Sequence, residues 1–338
     1  MCASEYLIMD KRTILTQSVL GFMDAWKKYK KSLKNIKISD WCISSDYCFG
    51  DVNKLDVATF TIFPVECMQI IDCEVKDNLP HDIKKVKQFS EKGYTYLKNS
   101  KYFFSISVVV ENLKYAFNEE KALREFSDVL KFYDISDIDK NNESIKERHL
   151  QLVNAYNYLR QKSHSRVKLS QMYFVAQFVS IIMEFLLIKE KGRDIRWCSD
   201  RGHIASFLDG IMFNLVPVYL RHNLRGRVID FHIHLPLEIK ENKNDYPYDV
   251  FIRIPDIITG VMSSLVVTER GITVQREKHG QLVHQSIVDN PHIVTILCHY
   301  LADSRPMWQR LFFESINKSP AFRYDDKLLN KFQNNTDN

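Results

Sequence analysis

The sequence predicts an α/β protein. Three observations carry this. Runs rich in β-branched and aromatic residues lie at Trp41–Phe49, Val57–Val65 and Tyr102–Val110. Long helical stretches follow them, and strand-type runs then alternate with helices again. Across 338 residues, 45% are apolar and 26% charged, the balance of a globular chain with one large domain or two ordinary ones. Twelve per cent aromatic residues excludes a solvated, disordered chain, and only 10 Gly and 9 Pro exclude collagen-like or linker character.

Lys11–Lys34 reads as a helix: Ile14, Val19, Phe22 and Trp26 share a stripe, and Lys27, Lys28, Lys30 and Lys31 crowd its C-terminal end, where cations suit the helix dipole. That lysine run is a wet helix face or a phosphate-contacting patch. Residues 1–36 form this N-terminal helical piece and 37–318 the main α/β domain. The runs at Trp41–Phe49 and Val57–Val65 flank Gly50-Asp51-Val52-Asn53-Lys54 and read as a β-hairpin closed by Pro64. Pro80 and His81 introduce a polar helix to about Asn99, and Tyr102–Val110 is a third strand. Residues 112–191 read as a helical insertion with a polar break at Asp134–Asn142, ending in the apolar Leu169–Ile188 helix. Asp194–Ser199 is a short strand, a helix starts near Ile204, and Arg227–Leu237 alternates as another strand. Ile254–Val267 reads as a helix with Pro255 in its first turn. The tail, 319–338, is polar.

The net charge of +5 permits nucleic-acid binding without demanding it. Seven cysteines, an odd number with no C-x-x-C pair, read as reduced thiols and place the chain in the cytoplasm. Met1–Asp10 reaches a charge before a signal-like apolar run develops. The apolar stretch Tyr173–Ile188 is short for a membrane span and contains Gln177, Ser180 and Glu184, so it reads as a buried helix and no membrane partner is expected. G-x-x-x-x-G-K-[ST], G-x-G-x-x-G and G-x-S-x-G are all missing, which disfavours nucleotide-driven and serine-nucleophile chemistry.

Two constellations carry candidate chemistry. In Asp230-Phe231-His232-Ile233-His234, both histidines project from one face of a strand. This matches the D-x-H-x-H of metal-dependent amidohydrolases and makes a His-ligated metallohydrolase one reading; a strand with a polar face is the other. The second constellation is carboxylate. Asp46 lies on the first hairpin strand, Asp200 ends a later strand, and Asp256 sits in Ile252-Arg253-Ile254-Pro255-Asp256-Ile257-Ile258-Thr259-Gly260. Asp40, six residues before Asp46, competes for its role. A carboxylate in an apolar run costs free energy unless it is paired, capped or bound to a cation. Three converging carboxylates would suit Mg²⁺ or Mn²⁺, which prefer oxygen. Plainer roles stand beside this: helix-dipole stabilisation for Asp256, a turn for Asp200 and an exposed strand position for Asp46.

On these residues the chain resembles the RNase H-like superfamily, which has a hairpin-bearing first strand with an Asp, a later strand ending in an Asp, and a C-terminal helix presenting the last. The segment 252–261 is similar to an x-x-I-A-D-x-I-A-G-A stretch in a poorly characterised branch of that superfamily. The resemblance implies an RNase H-like mixed sheet with a large helical insertion. It also implies phosphodiester hydrolysis in DNA or RNA with Mg²⁺ or Mn²⁺. Asp46 (or Asp40), Asp200 and Asp256 would hold two cations roughly 3.5–4 Å apart. Arg201 and Arg253 would meet the phosphate, His203 is an optional proton carrier, and Glu111 and Glu184 are candidates for a fourth acid. A non-catalytic binding or scaffold protein on the same fold, with a protein partner or as a homo-oligomer, is the alternative.

Overall fold

The computed structural model describes residues 22–113, 119–135, 143–162, 166–200, 202–224, 232–234, 248–268, 271–274, 276–300, 306–316 and 319–323. The chain is α/β, built on a mixed sheet in the order β10-β9-β8-β3-β2-β1-β4-β5. The hairpin is as expected: β1 (Trp41–Cys48) pairs antiparallel with β2 (Asp56–Pro64), Trp41 opposite Pro64 and Cys48 opposite Val57. β3 (Phe104–Glu111) is antiparallel to β2. On the other side of β1, β4 (Asp194–Ser199) pairs in parallel, Ser45 level with Ser199, and β5 (His232–His234) is parallel to β4. Of the strand expected at Arg227–Leu237, 227–231 and 235–237 lie outside the described residues.

The far half of the sheet is not apparent from local pattern. β8 (Ile293–Tyr300) runs parallel beside β3 and is followed by β9 (Pro306–Ile316) and β10 (Ser319–Arg323), each antiparallel to its predecessor. The tail expected from 319 onward therefore begins with a strand. A separate ribbon is made by β6 (Leu265–Thr268) and β7 (Gly271–Val274).

Side chains alternate across the sheet and bury two cores. On one face, β1 supplies Trp41 and Ile43, β2 supplies Ala58, Phe60 and Ile62, and β3 supplies Phe104, Ile106 and Val108. They meet α1 (Phe22–Ser32) and the helical insertion, α4 (Glu119–Ile135), α5 (Glu143–Gln161) and α6 (Arg166–Ile188), together with α7 (Ile211–Asn223). Helix α6 is long and apolar enough to cross a membrane, but 89% of its most apolar window is buried inside the fold. Residues 11–21 of the expected first helix, and 136–142 of the expected polar break, lie outside the described residues.

The opposite face carries Cys42, Phe63, Val109 and Cys198 under α8 (Asp249–Met262), with α2 (Met68–Asn78), α3 (Glu91–Asn99) and α9 (Glu277–Leu282) around it. Beneath α8 the sheet is lined by small polar side chains that satisfy one another: Thr59 with Ser107 at 3.0 Å and Thr61 with Ser105 at 2.8 Å. Their small size lets α8 lie against β1, β2 and β3.

Two expectations need correction. The helix expected from Pro80 starts only at Glu91, capped by Ser90, whose Oγ accepts from Gly93 N at 3.1 Å. Ahead of it, the Asp82 side chain turns the chain at Ile83–Lys85, and α2 occupies 68–78 instead. The helix expected at Ile254–Val267 begins five residues earlier and stops at Met262, so Pro255 lies inside it and 265–268 is strand. An interior proline forfeits one backbone bond, which burial of α8 against the sheet outweighs.

Helix α1 is bolted down by aromatic rings. Trp26 is 2% exposed, packs on Trp41, Phe104 and Phe185 at 5.2–5.4 Å, and donates its Nε1–H to Glu190 at 2.6 Å. Trp26→Ala is expected to cost about 3–5 kcal/mol in urea-unfolding free energy. A loss below about 1 kcal/mol would show that α1 is not part of the core.

Candidate functional site

Because β1 and β4 are parallel neighbours, their C-terminal ends meet at one edge of the sheet. The Asp200 amide, one residue beyond β4, donates to Ser45 O at 2.9 Å. This sets Asp200 level with Asp46, one strand spacing away, about 5 Å between backbones. Asp46 shares the alternation of Cys42, and Asp200 that of Cys198, both of which lie under α8. Helix α8 then crosses the pair: Thr259 Oγ1 donates to Asp46 O at 3.3 Å, and Asp256 lies one helical turn before Thr259. The three acids singled out in the sequence are thus brought to one place.

Asp46 is 7% exposed; Asp200 and Asp256 are half-buried. Burial pushes the Asp46 carboxyl well above the usual carboxylate range; the charges of Asp256 and then Asp200 push it further, and hydrogen bonding from Thr259 and Tyr47 opposes them. Asp256 is pushed up to about 6, first by burial and also by Asp200, Asp82 and Asp249, with Lys84 opposing. Among the described residues no Lys or Arg forms an ion pair with any of the three.

The dipole explanation for Asp256 does not hold. It is the eighth residue of α8, beyond the first turn where the positive helix end acts. The turn explanation for Asp200 holds in part: Oδ2 accepts from Gly202 N at 3.0 Å, and a Cβ at Gly202 would lie 2.9 Å from that oxygen. Oδ1 stays uncommitted among the described residues.

The other predicted site residues fall elsewhere. Asp40 precedes β1 at the opposite end, about 20 Å from Asp46 along the strand. Its carboxylate accepts from Asp194 N at 3.2 Å and Ser39 Oγ at 2.9 Å, tying the starts of β1 and β4 together. Glu111 ends β3 bound to His299 Nδ1 at 2.9 Å, and Glu184 is on α6, behind the sheet. Neither joins the three acids. His234 Nε2 meets Asp194 at 2.8 Å, again at the far end of β4, and both β5 histidines are exposed. Arg253 lies three residues before Asp256 on α8, half-buried, its Nε without a partner. His203 is exposed, just past Asp200, and Arg201 lies outside the described residues.

Sequence reasoning missed what fixes this end of the sheet. Behind the acids, Trp197 Nε1 donates to Ser45 Oγ at 2.9 Å, Ser45 Oγ bonds the Tyr47 hydroxyl, and Ser199 Oγ donates to that hydroxyl at 3.2 Å. This buried chain ties β1 to β4 beside Asp46 and Asp200. The alternation Ser45, Tyr47 and Trp197, Ser199 is its only trace in the sequence.

Compared with family models, curated proteins and solved structures, the chain matches none.

An oxygen-only donor set around a nearly buried acid that lacks a basic partner fits a hard divalent cation such as Mg²⁺ or Mn²⁺. Among the described residues, however, no three His, Cys, Asp or Glu side chains close tightly enough to grip one ion. The acids share an electrostatic field, not a finished coordination sphere.

Asp256 binds its proton more tightly folded than unfolded, so without divalent ions it costs stability as pH rises from about 4 to about 6. His279, held down to about 4 chiefly by burial, pulls the other way over that range. Comparing wild type with Asp256→Asn in EDTA isolates the acid. The variant is expected to gain of order 2 kcal/mol relative to wild type between pH 4 and pH 7. A difference independent of pH would contradict the shared field.

Proposed function

We propose that the protein is an RNase H-like, metal-dependent nuclease that hydrolyses phosphodiester bonds in DNA or RNA at Asp46, Asp200 and Asp256. The single observation that carries this is that three sequence-distant acids come close enough beneath and on α8 for their charges to act on one another, none of them in an ion pair with Lys or Arg among the described residues. The RNase H-like reading draws further support from the order β3-β2-β1-β4-β5, in which only β2 runs against the others, and from the third acid on the helix that follows β5.

Asp46, Asp200 and Asp256 would hold Mg²⁺ or Mn²⁺. When bound, such ions supply an activated water and neutralise charge developing on the phosphate and leaving oxygen. The chain's own work is positional. Thr259 fixes α8 over Asp46, and the Trp197–Ser45–Tyr47–Ser199 chain holds the two strand ends level. Asp256, pushed up to about 6, gives up its proton close to neutrality. Arg253, half-buried one turn before Asp256, would turn the rest of its guanidinium to a phosphate oxygen, its Nε being buried.

One observation favours a non-catalytic binding protein on the same fold: the open spacing of the acids. Cleavage separates the two. Asp200→Asn and Asp256→Asn are each expected to abolish Mg²⁺- or Mn²⁺-dependent cleavage, a loss of at least a hundredfold, while leaving the metal-free melting temperature unchanged or higher. Undiminished cleavage in both variants would overturn the assignment, and no cleavage by wild type with any divalent ion would favour the binding protein.

A further inference from the structure

Between α2 and α3 the chain crosses α8 as a loop, 80–89, with the sequence Pro-His-Asp-Ile-Lys-Lys-Val-Lys-Gln-Phe. It follows the stripe of α8 that carries Asp249, Asp256 and Gly260, spaced seven and four residues apart on one helix face. His81 Nε2 lies 3.4 Å from Asp249. Ile83 is 3% exposed, and its Cγ2 stands 3.7 Å from where a Cβ on Gly260 would be. Lys84, directly after the second anchor, is the cation whose field acts on Asp256.

The loop is held by its own turn and by α9. Asp82 Oδ1 accepts from Lys84 N at 2.8 Å. From α9, Lys278 Nζ donates to Ile83 O at 2.9 Å and to Val86 O at 3.0 Å. Phe89 is buried against Tyr94, their rings 5.1 Å apart. The segment spends its apolar and backbone groups on attachment and leaves Lys84, Lys85 and Lys87 exposed. Lys85 makes one long contact to Asp82, 3.9 Å, and Lys84 and Lys87 form no ion pair among the described residues. A pinned loop that presents three exposed lysines, the first of them acting on Asp256, complements a polyanion whose backbone must approach carboxylates that would otherwise repel it.

We infer that this loop is a phosphate-gripping arm, in which Lys84, Lys85 and Lys87 hold the backbone of a nucleic-acid strand across the acid site. The inference rests on the nuclease reading for its substrate class. The lysines are positioning residues: they act on strand affinity, not on the reacting bond.

The test uses the full chain in EDTA and fluorescent probes of about 20 base pairs or 20 nucleotides: duplex DNA, single-stranded DNA and single-stranded RNA. Wild type is compared with the triple variant Lys84→Gln/Lys85→Gln/Lys87→Gln. A charge-matched control, Lys146→Gln/Lys162→Gln/Lys189→Gln, removes three exposed lysines of the helical insertion. Melting temperature is recorded for each. The loop variant is expected to bind at least one probe tenfold or more weakly. Its slope of log affinity against log salt should shrink by about 0.9 per lost contact on duplex, or about 0.7 on single strands, with the control near wild type. Equal affinity in wild type and loop variant, or an equal drop in the control, overturns the arm and leaves the nuclease reading standing. Loop-dependent binding without cleavage in Mg²⁺ or Mn²⁺ keeps the arm and overturns the nuclease. No binding to any probe overturns both.

Discussion

The parallel pairing of β1 with β4 is the constraint on which the rest depends. Parallel neighbours end at the same edge, so acids placed at their ends come together however far apart they lie in the chain. The bond from the Asp200 amide to Ser45 O fixes that register, and a shift of one residue would send one carboxylate to the other face of the sheet. The polar chain from Trp197 to Tyr47 works to the same end from behind. Tyr47, whose hydroxyl burial pushes far up, stays a neutral hydrogen-bonding group there.

The arrangement is costly for folding alone. Asp46 is nearly sealed from water, Asp256 sits mid-helix without help from the dipole, and both raise their proton affinity in response. A chain shaped only by stability would place apolar residues there, like the neighbouring buried Ile254, Ile257 and Ile258. Uncompensated carboxylates that persist in such a place point to a ligand that supplies the missing positive charge. Lys84 of the 80–89 loop already offsets part of Asp256's cost, and the proposed divalent cation would offset the rest.

Much of this could be read from residue order because the decisive elements are local. The hairpin follows from alternating apolar residues around a turn-rich Gly50–Lys54, and β4 from Asp194–Ser199 standing between polar ends. Asp256 is conspicuous as a charge inside an apolar run, and Asp46 and Asp200 as acids on or ending strands. What could not be read is tertiary. Pro255 has the local signature of a first-turn proline, and only the packing of α8 on the sheet overrides it. β8 finds its partner β3 across 188 residues, and local periodicity in 268–318 does not assign it. Asp40 has the same face parity as Asp46, but parity does not report which end of the strand it occupies. The 80–89 loop looks like a helix start by composition, and its attachment to α8 and α9 through Ile83 and Lys278 is invisible in the chain order.

Asp46 shares a field with Asp256 and Asp200, which the proposed cation would relieve. Carbon NMR of side-chain-labelled aspartate, assigned with Asp46→Asn, follows that carboxyl directly through pH, first in EDTA and then with Mg²⁺. Asp46 is expected to titrate well above the usual carboxylate range in EDTA and to move down toward that range with Mg²⁺. An Asp46 that titrates near 4, or one that ignores the ion, would contradict this expectation.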